Sequence, residues 1–142
     1  MIGVGVVARD AAGRVIASMC STQRYIMDSS IVEAYGTRQA VQFGLFLGIQ
    51  SILLEGDALE ITNSMNNTED NVGKFGNFIA DARATLREFG SWVVSHVKRE
   101  GNRVAHNLAK FAISSEQNKV WFDSYPTCLS GLVNSELILP VI

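Results

Sequence analysis

Two carboxylates and a histidine stand where α/β chains commonly place function, at strand ends and helix starts. They are Glu33 in SSIVEAYG, Asp57 in ILLEGDALE and His106 in NRVAHNLAK. Carboxylates that converge on one site hold a hard cation such as Mg²⁺ through oxygen. Two such cations side by side activate water and stabilise the leaving oxygen in phosphodiester cleavage. A second histidine, His96, lies in SWVVSHV and shares a strand face with Trp92 and Val94. Around the turn that follows, Lys98, Arg99, Arg103 and Lys110 form a local basic group able to meet phosphate.

Each of these residues also has a purely structural reading. Ser30 and Glu33 have the spacing of a capping box, in which the two side chains satisfy each other's backbone N–H groups. Asp57 can cap its helix in the same way, with Glu60 as the reciprocal partner. His96 fits a packed strand position, His106 a surface position in a first helical turn, and the basic group a solvated face. Asp10 begins the segment DAAG, where an aspartate serves a tight turn. The pattern alone leaves both kinds of reading open.

The elements that must position these side chains follow from periodicity and breakers. IGVGVVARD and AAGRVIASM read as two strands around a turn at 10–13. After the polar stretch STQRYIMDSS, a helix is expected from just beyond Ser30 to about Gly48. ILLE (52–55) is a short apolar strand ended by Gly56, and DALE (57–60) opens a second helix that fades into the polar loop NNTEDN. In FGNFIADARATLREFG (75–90), Phe75, Phe78, Ile79, Ala82 and Leu86 recur at helical spacing, and Gly90 stops the helix. SWVVSHV is a strand. Asn102 is the expected N-cap of a last helix running to about Ser114, with Val104, Leu108 and Phe111 as its buried stripe. Residues 115–142 read as a less regular tail with an apolar end, ELILPVI. This order of strands and helices predicts an α/β fold with a mixed sheet flanked by helices.

A chain of 142 residues, 47% hydrophobic and 18% charged, is the size of one domain and carries enough apolar surface for a folded core. Its net charge of −2 excludes a global basic field, so nucleic-acid binding would have to rest on a local patch. Cys20 and Cys128 are far apart and give neither a disulfide framework nor a zinc spacing, as expected in a reducing compartment. No basic segment precedes MIGVGVV, and GLFLGIQSILL is interrupted by Gln50 and Ser51. The expectation is an intracellular chain, in nucleus or cytoplasm, neither secreted nor embedded in a membrane.

Taken together, GVGVVARDAAGRVIAS, SSIVEAYGTRQAVQFGLFLGIQSILLEGDALEI and SHVKREGNRVAHNLAKFA resemble, in order, the type 1 ribonuclease H family. The likeness is to the plant branch often associated with reverse-transcriptase-derived sequences. It covers most of residues 2–113, leaving 114–142 as a C-terminal extension expected to pack on or near the domain.

The resemblance implies metal-dependent hydrolysis of the RNA strand of RNA–DNA hybrids. Glu33 falls on the family's helix-borne catalytic Glu, and Asp57 on the Asp ending its fourth strand, both metal ligands. His96, Arg99 and Asn102 fall on the motif before the final helix, and His106 falls where complete members carry their last metal-binding Asp. Lys98, Arg99, Asn102 and Arg103 are then the expected nucleic-acid contacts.

Two departures weaken the catalytic expectation. Imidazole is a poor ligand for Mg²⁺ and a better one for softer ions, with Mn²⁺ the nearer substitute. The family's first, central strand, which bears its first catalytic Asp, has no counterpart in this sequence, so the domain reads as N-terminally truncated. Any cation, Mg²⁺ or Mn²⁺, is expected to bind weakly if at all. ELILPVI or a strand from another chain is the expected filler of the gap, although Pro140 opposes a fully paired strand. The alternative to an enzyme is a non-catalytic module that binds nucleic acid or protein.

Overall fold

The structure, a computed structural model, describes residues 1–24, 28–67 and 77–138, and the side chains of all of these except 135–138. The expected start of the third helix at Phe75, most of the loop NNTEDN and the last residues of ELILPVI lie outside this set. The chain divides into two compact units, Met1–Ile26 with Glu100–Ile142, and Met27–Arg99. Each has an apolar core of its own.

In the first unit, β1 (Ile2–Arg9) and β2 (Val15–Gln23) form the expected antiparallel hairpin. Its turn is built by local chemistry. Asp10 Oδ1 accepts from the backbone N–H groups of Ala12 and Arg14, both at 2.9 Å, and Gly13 takes a φ of 84°. Asp10 is therefore a turn residue, as its place in DAAG implies.

The last expected helix is α4 (Arg103–Ser115), with Asn102 at its N-cap position. It packs across β1 and β2. Val104, Leu108 and Ala112 are fully buried and Phe111 packs beside them, half buried. Gly3 and Gly5 lie on the face of β1 turned to this helix. A Cβ at Gly5 would sit 2.6 Å from Leu108 Cβ and 2.7 Å from the Ala109 nitrogen. The hairpin thus needs glycine here because helix backbone lies where a side chain would be.

The tail is more regular than its composition suggests. β5 (Lys119–Phe122) pairs antiparallel with β2, and Trp121 meets Phe111 edge to face at 5.9 Å. Leu129 and Val133 complete the same core, the latter from α5 (Ser130–Ile138). The strand expected of ELILPVI is corrected for Glu136–Ile138, which are helical. Apolar, β-prone composition does not fix a period, and a short apolar run reads equally as helix or strand.

In the second unit, α1 (Ser29–Phe46) packs against α3 (Asn77–Leu86), and β3 (Ser51–Gly56) runs parallel to β4 (Ser91–His96). α2 (Leu59–Asn66) and α3 span the crossover that parallel strands require. Ile61, Met65, Ile79, Ala82, Leu86 and Val94 are the centre of the core. Its helix α3 ends four residues before Gly90, because Phe89 turns inward and the Gly90 N–H bonds to Gln50 O at 2.8 Å.

Two capping assignments shift. The N-cap of α1 is Asp28, whose Oδ1 accepts from the Ile31 N–H at 3.0 Å, so Ser30 lies inside the helix and Glu33 is not its capping-box partner. The N-cap of α2 is Ala58, one residue beyond Asp57.

The described strands form two sheets, antiparallel β1-β2-β5 and parallel β3-β4, in keeping with a mixed sheet that lacks its central strand. A single sheet would need a strand hydrogen-bonded to both β1 and β3. None of the described strands does this: β1 has β2 as its strand neighbour, and β3 has β4.

Candidate functional site

The parallel register of β3 and β4 sets Gly56 beside His96, so both strands end at the same level. The residues that follow them emerge together at one edge. Ser51 Oγ and Ser91 Oγ, 2.7 Å apart, fix the same register at the strand starts, and Val97 N–H donates to Gly56 O at 2.9 Å beyond the strand ends. The C-terminal edge of parallel strands is where open α/β sheets place ligands.

At this edge, Nε2 of the exposed His96 lies 3.2 Å from the backbone carbonyl oxygen of Asp57. A carbonyl only accepts, so Nε2 carries the proton in this hydrogen bond and Nδ1 is the ring's acceptor when neutral. The Asp57 carboxylate is mostly buried, with its side chain 10% exposed. Arg99 Nε stands 3.9 Å from its Oδ2, while the Arg99 side chain is 80% exposed. Lys98, also exposed, precedes it. Asp57, His96, Lys98 and Arg99 thus share one strand-end edge, and Asp57 is drawn to a guanidinium.

Glu33 belongs to the same unit. It lies half buried in the second turn of α1, with its backbone carbonyl accepting from Thr37 Oγ1 at 2.9 Å. Asn102, Arg103 and His106 belong to the other unit, at the start of α4. Arg103 is exposed and His106 half buried.

The resemblance drawn from the sequence implies a divalent cation held by carboxylates. Among the described residues, no three His, Cys, Asp or Glu side chains gather in a group that could hold a metal ion. Asp57 faces Arg99 across 3.9 Å. The donors among the described residues do not fit a multi-ligand cation centre. The Asp57–Arg99 contact is the part of this edge that reading along the sequence missed. Its signal was the equal level of the two strand ends, which becomes visible only with their register.

The fold is that of a ribonuclease H-like domain. The chain superposes on RNase H1 from the halophilic archaeon Halobacterium salinarum NRC-1 with a TM-score of 0.73. The two share 24% sequence identity, over 80% of this chain and 86% of the archaeal one. Residues 2–112 match the family described as Reverse transcriptase-like, and the chain belongs to that family. No curated protein matches it. No helix among the described residues is long and apolar enough to cross a membrane.

Proposed function

We propose that this chain is a nucleic-acid-binding domain whose ligand is an RNA–DNA hybrid duplex, bound rather than cleaved. The observation that carries this reading is the strand-end edge in a ribonuclease H-like fold: exposed Lys98 and Arg99 beside exposed His96 and a mostly buried Asp57. Lysine and arginine at such an edge meet phosphate oxygens, whereas recognition of a hybrid rests on duplex shape and 2′-hydroxyls. Asn102 and Arg103 extend the basic sequence and are proposed as further contacts. The net charge of −2 makes the binding depend on this patch and not on the whole surface.

Hydrolysis would draw on Glu33 and Asp57 as carboxylates for Mg²⁺ or Mn²⁺, with His96 near the reacting phosphate and His106 as a fourth ligand. The donor set described above argues against this for the chain as it stands.

The test is binding of a labelled RNA–DNA hybrid at several salt concentrations, with cleavage followed in Mg²⁺ and in Mn²⁺. The expected result is binding that weakens linearly in log–log form with salt, by a slope of about −0.9 per phosphate contact. Lys98→Gln and Arg99→Gln should each reduce that slope by roughly one contact, with no cleavage product. Metal-dependent cleavage abolished by Asp57→Asn would replace this reading with the enzymatic one. Salt-insensitive or undetectable binding would end both.

A further inference from the structure

We infer that the outer edge of β5 pairs antiparallel with β5 of a second copy of this chain, joining two three-stranded sheets across a two-fold axis. The contact lies wholly within the first compact unit and uses none of the residues assigned above to nucleic acid.

The backbone sets which groups face outward. The Asp123 N–H donates to Ile16 O at 2.7 Å, toward β2, and alternation turns Trp121 the same way. The N–H and C=O groups of Val120 and Phe122 therefore point to the opposite edge, where β5 has no strand neighbour among the described residues. Their side chains, 40% and 60% exposed, share one face of the strand. In the other sheet, by contrast, β4 is blunted by a side chain, because Val94 O accepts from Asn66 Nδ2 at 3.0 Å.

The charges select the occupant. A lysine on an edge opposes pairing with a strand that brings no counter-charge. β5 begins at Lys119 and is followed by Asp123, both exposed. The Lys119 ammonium lies 5.2 Å over the Trp121 ring, which holds its charge beside the strand. An antiparallel second copy centred on Trp121 sets Lys119 opposite Asp123 of the partner subunit, and Val120 opposite Phe122 of the partner subunit. In that register Val120 and Phe122 exchange both backbone hydrogen bonds on each side of the axis, which is the pairing their outward N–H and C=O groups allow. A parallel copy in register would instead set like charges against each other at both ends.

The test is sedimentation equilibrium of the whole chain without nucleic acid, with amide exchange in β5 followed over the same concentrations. The expected result is a weak, concentration-dependent dimer, as a contact this small implies. In it, exchange of the Val120 and Phe122 N–H groups slows with concentration, while that of Trp121, which faces β2, does not change. Lys119→Glu and Asp123→Lys should each weaken dimerisation by about fivefold or more, since each sets like charges together at both ends. Mixing the two variants should restore a dimer near the original strength, because opposite charges then face each other. Val120→Pro removes an outward N–H without touching the bonds to β2, and should abolish the dimer. A monomer at all concentrations up to about 1 mM, a dimer that ignores both charge reversals, or a mixture that stays monomeric overturns the inference. So does dimerisation with unchanged Val120 and Phe122 exchange, which would place the contact elsewhere. Recovery in the mixture excludes misfolding of either variant as the cause of its loss.

Discussion

The imidazole of His96 is tied to Asp57: its Nε2 donates to the backbone carbonyl of that residue at 3.2 Å. This fixes the neutral ring as the Nε2–H tautomer and leaves Nδ1 to accept a proton. Long-range nitrogen–proton correlation on the neutral ring should show Nε2 protonated and Nδ1 not. A dominant Nδ1–H form would show that the contact is not a hydrogen bond. His96→Ala should cost about 0.5–1 kcal/mol in urea unfolding, the worth of one partly solvated hydrogen bond.

Asp28 and Ser30 offer a second separation, since both fit a helix start and Asp28 alone makes the cap. Asp28→Ala should destabilise by about 1 kcal/mol, and Ser30→Ala by less than about 0.5 kcal/mol. Equal losses in thermal or urea unfolding would contradict the observed register of α1.

What could be read along the chain was what local chemistry decides. The turn at Asp10–Gly13, the stripe of Val104 and Leu108 and the strand ends at Gly56 and His96 depend on neighbours in sequence. The α1 cap was misplaced because Asp28 and Ser30 both satisfy the local rule, and only the helix register chooses between them. Glu136–Ile138 were misread because an apolar run without alternation does not distinguish strand from helix. Asp57 and His96 were found as separate candidates. The approach of both His96 and Arg99 to Asp57 was hidden, because it follows from the parallel pairing of β3 with β4, a long-range contact. His106 was grouped with Glu33 and Asp57 by likeness to a family, a grouping that no local pattern in the sequence carries.

The two cysteines should differ sharply in reactivity. Cys20 is 1% exposed with Sγ directed at Gln117 O, 3.6 Å away, whereas Cys128 is exposed. Burial pushes the Cys20 thiol above its ordinary value of 9.0, outweighing the Lys119 backbone hydrogen bond and charge that act the other way. The thiolate is the reactive form, so alkylation of the native chain should label Cys128 alone, and both thiols after denaturation. The sign for stability follows. Above about pH 9 the unfolded thiol loses its proton while the native one keeps it, so the unfolded state binds fewer protons and stability falls as pH rises. Cys20→Ala should flatten that fall in urea midpoints measured from about pH 8 to 10. An unchanged slope would mean that other groups set it.

Gly5 and Gly131 make the sharpest contrast in packing. A Cβ at Gly5 would meet the Ala105 carbonyl oxygen, as well as Leu108 Cβ at 2.6 Å, and helix backbone cannot swing aside as a long side chain can. Gly5→Ala should therefore force β1 and α4 apart and destabilise by about 1–3 kcal/mol or more. At Gly131, in α5, an added Cβ meets nothing within 4 Å. Gly131→Ala should be neutral or stabilise by up to about 1 kcal/mol through helix propensity and the narrowed unfolded ensemble. Urea unfolding of the two variants checks both signs at once. A harmless Gly5→Ala would mean that the hairpin and α4 are not in the close contact on which this unit's core depends.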